Sequence, residues 1–188
     1  MDRKSHEIRT PKASVGAEPS PSQKGRMAEA SIAMVATNLG WDVYLPFGDG
    51  SRADMVLQDT NGEVFQTQVK WGRLDGEVIK VQLATCRSTP NKGYVRNTYS
   101  SEEIDLIAVW CQSLSTAYLI PIAEVLGLTI LHLRLSGARN NQKAGVRYAA
   151  TYQFGAVAQL GERRHGMAEV RGSIPLSSTK WSKRPSST

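Results

Sequence analysis

Hydrophobic and polar positions first settle into a regular pattern at Lys24. From there Met27, Ser31, Met34, Val35 and Leu39 follow an i, i+4, i+7, i+8 spacing, which predicts an amphipathic helix over 24–39. Gly40 supplies its C-terminal stop. Trp41, Val43 and Leu45 then alternate with Asp42 and Tyr44, the pattern of a short strand. Strands are expected next at 53–58 and 64–71, joined through Asp59-Thr60-Asn61-Gly62-Glu63, and at 78–84 after a turn at Asp75-Gly76. Residues 85–100 contain Pro90, Gly93 and many polar residues and read as irregular. The near-continuous apolar run 104–110 reads as a buried central strand. A strand at 116–121, a short helix at Ala123–Leu126 and a strand at 129–135 complete the pattern. The order predicts an α/β sandwich around a mixed sheet, with no internal repeat.

Outside this patterned stretch the chain changes character. Residues 1–23 are polar with three prolines and read as a disordered leader, and 136–154 as a domain end or linker. Residues 155–188 read as a basic, disordered tail. The net charge is +6, but 155–188 carry six Lys/Arg against two Glu, whereas 24–154 carry thirteen against twelve. The basic character therefore says little about the patterned part, and any case for nucleic acid must come from a site. Two cysteines exclude a disulfide scaffold, and three scattered histidines argue against a histidine metal site. No apolar run approaches the ~20 residues needed to span a bilayer, and no signal peptide is visible, so a cytoplasmic protein without membrane contact is expected.

The candidate chemistry lies in the strand Val64–Trp71. Its alternation puts Phe65, Thr67, Val69 and Trp71 on one face, and Val64, Gln66, Gln68 and Lys70 on the other. Such a strand is compatible with an ordinary edge facing water. Register decides whether Asp54 joins it. A two-residue Asn61-Gly62 loop would set Asp54 opposite Val69, on the wrong face. A three-residue loop, Thr60-Asn61-Gly62, pairs Asp59 with Glu63 and Asp54 with Gln68, and places glycine where such a loop needs the left-handed conformation. The second register is the one expected, and it gathers Asp54, Gln68 and Lys70. A carboxylate and an amide oxygen can hold Mg²⁺ beside a phosphate, and a neighbouring ammonium can neutralise charge developing on it. Glu29, at the edge of the helix stripe, either extends this set or is a solvated helix charge.

The ordered segments Lys24-Gly25…Glu29, Pro46-Phe47-Gly48-Asp49…Asp54, Gln68-Val69-Lys70, Ser100-Ser101-Glu102-Glu103-Ile104-Asp105-Leu106 and Tyr118-Leu119-Ile120-Pro121 resemble the PD-(D/E)XK nuclease superfamily. Within it they look most like the group I intron-associated homing endonucleases, over about 24–135. The resemblance implies a restriction-endonuclease-like α/β core with a mixed central sheet flanked by helices. It further implies a Mg²⁺-dependent, site-specific endonuclease acting on double-stranded DNA. Position by position, Asp54 corresponds to the metal-ligand aspartate, Lys70 to the motif lysine and Glu29 to the helix glutamate. Gln68 stands where most of the superfamily has Glu or Asp, and a neutral amide binds Mg²⁺ less strongly. Arg52, Arg73, Lys80, Arg87 and Lys92, with Arg96, are candidate DNA contacts. Cutting both strands with one site per chain implies a homo-oligomer, a dimer or tetramer. Two other readings stay open: a structure-selective nuclease resembling Holliday junction resolvases, and a catalytically inactive DNA-binding remnant. Residues 155–180, with Val157–Arg163 and Gly172-Ser173-Ile174-Pro175, resemble a transfer-RNA gene read as protein.

Overall fold

The computed structural model describes residues 18–48, 50–89, 93–136 and 145–155, those of 85–97 by their backbone alone. Helix α1 (Pro21–Asn38) opens with a reciprocal cap. The Ser20 hydroxyl accepts from the Gln23 N–H, the Gln23 side chain accepts from the Ser20 N–H, and Pro21 occupies the first helical position. The helix therefore starts ahead of the expected Lys24, and residues 18–23 belong to its cap and first turn rather than to a leader. Its buried stripe is also rotated from the expected one. Ala28, Ile32 and Ala36 face the sheet, while Met27 and Met34 are exposed. Alanines allow the close approach to the sheet that methionines would block.

The strands are β1 (Asp42–Tyr44), β2 (Met55–Gln58), β3 (Val64–Asp75), β4 (Val78–Gln82), β5 (Thr85–Thr89), β6 (Gly93–Asn97), β7 (Leu106–Cys111), β8 (Thr116–Pro121) and β9 (Ile130–Arg134). Strand β10 (Arg147–Tyr148), the one-turn helix α2 (Ala149–Tyr152) and β11 (Gln153–Phe154) follow. The expected helix at 123–126 is a single 3₁₀ turn, Ile122–Glu124. Strand β3 lies parallel to β7 and antiparallel to its other neighbours, so the sheet is mixed. The order β10-β9-β4-β3-β7-β8-β11, with β1 and β2 branching from β3, makes nine strands.

Two apolar clusters lie on the two faces. Beneath α1, Met55, Leu57, Phe65 and Val69 meet Leu106, Ala108 and Trp110. On the other face Ile79, Val81, Leu131 and Leu133 of β4 and β9 pack with Ile107 and Val109 of β7. The sheet thus curls so that its own strands cover the face opposite α1. Both faces of β7 are covered, which is why all six of its residues are buried and its sequence shows no alternation.

Two segments differ from the sequence expectation. Residues 85–89 and 93–97 form a two-stranded antiparallel sheet, β5–β6, outside the main sheet. Gly93 is the first residue of β6, and Pro90 lies outside the described residues. Residues 145–155, read as a domain end or linker, add to the fold. Strand β11 pairs with β8, and Tyr152 and Phe154 are buried. The leader 1–17, residues 137–144 and the tail 156–188 lie outside the described residues.

Candidate active site

The site is built at a gap in one edge of β3. On that edge β2 pairs with residues 64–67 and β4 with residues 72–75, while β7 lines the opposite edge. Residues 68–71 lie between the two partners. The loop after β2 sets the register. Gly62 takes a φ of 86°, the Asp59 N–H donates to the Glu63 carbonyl at 2.9 Å, and the Asp59 carboxylate accepts from the Asn61 and Glu63 N–H groups. Met55 pairs with Thr67, which sets Asp54 opposite Gln68 as the three-residue loop requires.

Asp54 fills the gap. Its N–H donates to the Thr67 carbonyl at 3.0 Å. Its Oδ2 accepts the Val69 N–H at 2.8 Å and the Gln68 side-chain amide. The carboxylate so replaces the strand partner that β3 lacks here and satisfies its backbone donor. Gln68 is only 8% exposed. With its NH₂ turned toward Asp54, its carbonyl oxygen is the end left for a cation.

The electrostatics suit a cation. Burial pushes the Asp54 carboxyl above its ordinary value, against the Val69 N–H, the Lys70 charge and the Gln68 amide, which pull it down. Glu29, half-buried on α1, is pushed up by burial and then by the negative charge of Asp54, with Arg26 opposing. Asp54 and Glu29, whose carboxyl the Asp54 charge raises, form with the Gln68 amide oxygen a donor set that fits Mg²⁺ or another hard divalent ion. Among the described residues no group of three or more His, Cys, Asp or Glu could hold a metal ion.

Lys70 stands on the same face of β3 as Gln68. Its Nζ donates to the Tyr99 hydroxyl at 2.7 Å and lies 5.0 Å from the centroid of that ring. Tyr99 follows β6, in the segment read from sequence as irregular, and nothing in its local pattern marks it. Glu103 was quoted only as part of a resembling segment. In the structure its carboxylate forks onto Arg52, Nε to Oε1 at 3.0 Å and Nη2 to Oε2 at 3.2 Å, and that pairing holds the carboxyl below its usual range.

Of the candidate DNA contacts, the structure describes the side chains of Arg52, Arg73 and Lys80. The Arg52 guanidinium is engaged within the chain by Glu103, by the Thr98 carbonyl and by the Tyr99 ring. Arg73 and Lys80 are exposed and face each other across β3 and β4. Their neighbours Ile79 and Val81 point into the core, so alternation sends both to the sheet face away from Lys70, where Lys80 pairs with Asp75. Lys92 and the side chains of Arg87 and Arg96 lie outside the described residues.

A family model described as PD-(D/E)XK endonuclease matches residues 20–155, the span from the Ser20 cap to the end of β11. Among solved structures the chain is similar to the bacterial homing endonuclease I-Ssp6803I. The TM-score is 0.59 at 23% identity, over 72% of this chain and 89% of that one, a likeness of fold. No curated protein matches. Among the described residues no helix is long and apolar enough to cross a membrane. The family match covers the cap, the hairpin register, the gap in β3 and the closing strand, and the chain belongs to the PD-(D/E)XK endonuclease family.

Proposed function

We propose that this chain is a Mg²⁺-dependent, site-specific endonuclease of homing type that hydrolyses phosphodiester bonds in double-stranded DNA. The observation that carries the reading is the meeting of Asp54, Gln68 and Lys70 at the β3 gap, with Glu29 on α1 near enough for the Asp54 charge to raise its carboxyl. Asp54 and the Gln68 oxygen would hold the metal, with Glu29 a further ligand directly or through water. Mg²⁺ bound there supplies Lewis-acid polarisation of the phosphate and makes the attacking water more acidic. The Lys70 ammonium stands beside the metal ligands, where it orients that water and neutralises charge building on the phosphate. One P–O bond forms to the water oxygen and one P–O ester bond breaks. The water gives up a proton to solvent, and the leaving sugar oxygen takes one up. The sequence likeness to homing enzymes and the fold likeness to I-Ssp6803I support the site-specific form. One such site among the described residues supports action as a dimer or tetramer on a near-palindromic target.

The test is cleavage of a plasmid bearing an uninterrupted transfer-RNA gene from the source genome, and of a randomised-site library, with Mg²⁺ or EDTA. Discrete Mg²⁺-dependent cuts by the parent are expected. Lys70→Ala should lose about 10²-fold or more in rate while still binding DNA, the loss seen when one transition-state donor is removed. Parental cleavage by Lys70→Ala would overturn the site. DNA binding with no cut in either substrate would leave the inactive remnant as the better description.

A further inference from the structure

We infer that Tyr99 is a positioning residue for Lys70, and that the Arg52–Glu103 pair is the brace that holds Tyr99 in place rather than a DNA contact. The inference rests on the active-site reading above and assigns that site a residue which the motif does not contain.

A lysine ammonium sits on a flexible four-carbon stem, so its place is set by what it touches. Here one side chain sets it: the Tyr99 hydroxyl accepts from Nζ at 2.7 Å, which places Nζ 5.0 Å from the centroid of that ring, at its hydroxyl end. Tyr99 is 7% exposed and packs with the core cluster of β4, β7 and β9, so the ring is a fixed platform. The segment that carries it is tied down on both sides. Arg52 Nη2 donates to the Thr98 carbonyl at 3.2 Å, and the Ser100 N–H donates to Glu103 at 3.0 Å. The Arg52 guanidinium carbon lies 4.9 Å from the Tyr99 centroid while its nitrogens grip Glu103.

The brace connects two parts of the site. Arg52 stands two residues before Asp54, and Thr98 to Glu103 carry Tyr99. The fork therefore links the backbone that presents the carboxylate to the loop that holds the ammonium. A fork of this kind uses the planar, doubly donating geometry that only arginine offers. The bonds to Glu103 and Thr98 use Nε and Nη2, three of the five guanidinium donors, so a phosphate would meet only the Nη1 end.

The experiment uses the full chain with Mg²⁺ and whichever substrate the parent cuts, under single-turnover conditions. Tyr99→Phe keeps the ring and removes the acceptor, and cleavage should slow by about fivefold, as for one lost hydrogen bond, with DNA affinity unchanged. Tyr99→Leu removes the acceptor together with the ring that carries it, and cleavage should slow by at least as much. Neither change should add to the defect of Lys70→Ala. A second readout needs no activity. In protein with ¹³C-labelled lysine, the Lys70 ε-methylene protons should be shifted by the Tyr99 ring current. That shift should persist in Tyr99→Phe and vanish in Tyr99→Leu. Parental cleavage by both variants beside an inactive Lys70→Ala overturns the inference and leaves the proposed function standing. An active Lys70→Ala defeats the site reading instead, and the positioning is then judged by the ring-current shift alone, whose absence from the parent overturns it.

Discussion

Gly72→Ala tests whether the curl of the sheet sets the active-site strand. Gly72 lies two residues beyond Lys70 on the same face of β3, where β4 first joins the edge opposite Val81. A Cβ there would stand 2.8 Å from Cγ2 of Ile79 and 2.9 Å from Cγ1 of Val109. Carbon atoms pack at about 3.5–4.0 Å, so the methyl is close to 1 Å too near both. Ile79 and Val109 are fully buried between β4 and β7, so neither has free space to move into. Overpacking of this kind costs about 1–3 kcal/mol, and the lower unfolded-state entropy of alanine returns about 0.4–1 kcal/mol. A net loss of about 1–2 kcal/mol is expected, or roughly 2–8 °C in Tm for a chain of this size. Thermal and urea unfolding followed by circular dichroism measure it. Val109→Ala should cost less in the Gly72→Ala background than alone, by at least ~0.5 kcal/mol, because it removes one of the clashing methyls. Equal or higher stability of Gly72→Ala, or strict additivity with Val109→Ala, would show that the close approach of β3, β4 and β7 is not as described.

Two further outcomes follow from the same geometry. Phe154 is 8% exposed and meets Trp41 edge-on at 5.1 Å between ring centroids, so Phe154→Ala should cost about 3–5 kcal/mol in urea unfolding; a change below ~1 kcal/mol would mean that β11 is not part of the core. Burial raises the Asp54 carboxyl in the folded protein, so its contribution to stability is full below the unfolded value and lost as pH rises through the folded one. Metal-free Asp54→Asn, which keeps an oxygen for the Val69 N–H, should therefore melt above the parent at neutral pH, with the gap closing on acidification. A parent that melts higher than the variant in EDTA at pH 7 would contradict the assigned electrostatics.

What the sequence determined by itself is local. The loop Thr60-Asn61-Gly62 settles the β2–β3 register, because a loop length and one glycine in the left-handed region decide which hydrogen bonds can close. That register alone sets Asp54 opposite Gln68. The unbroken apolar run of β7 likewise announces a strand covered on both faces. The Ser20–Gln23 box was equally legible, although composition drew the boundary at Lys24 instead. The tertiary structure decided the rest. Which stripe of α1 meets the sheet depends on how closely a helix can approach, and only the packed molecule shows that Ala28 and Ala36, not the methionines, face inward and leave Glu29 where the Asp54 charge raises its carboxyl. Strands of two residues, such as β10 and β11, are too short to carry a period and exist because β9 and β8 offer them partners. Tyr99 and Glu103 reach Lys70 and Arg52 across 29 and 51 residues of chain. A contact over that distance is paid for by long-range packing and loop closure, and no local pattern of residues records it.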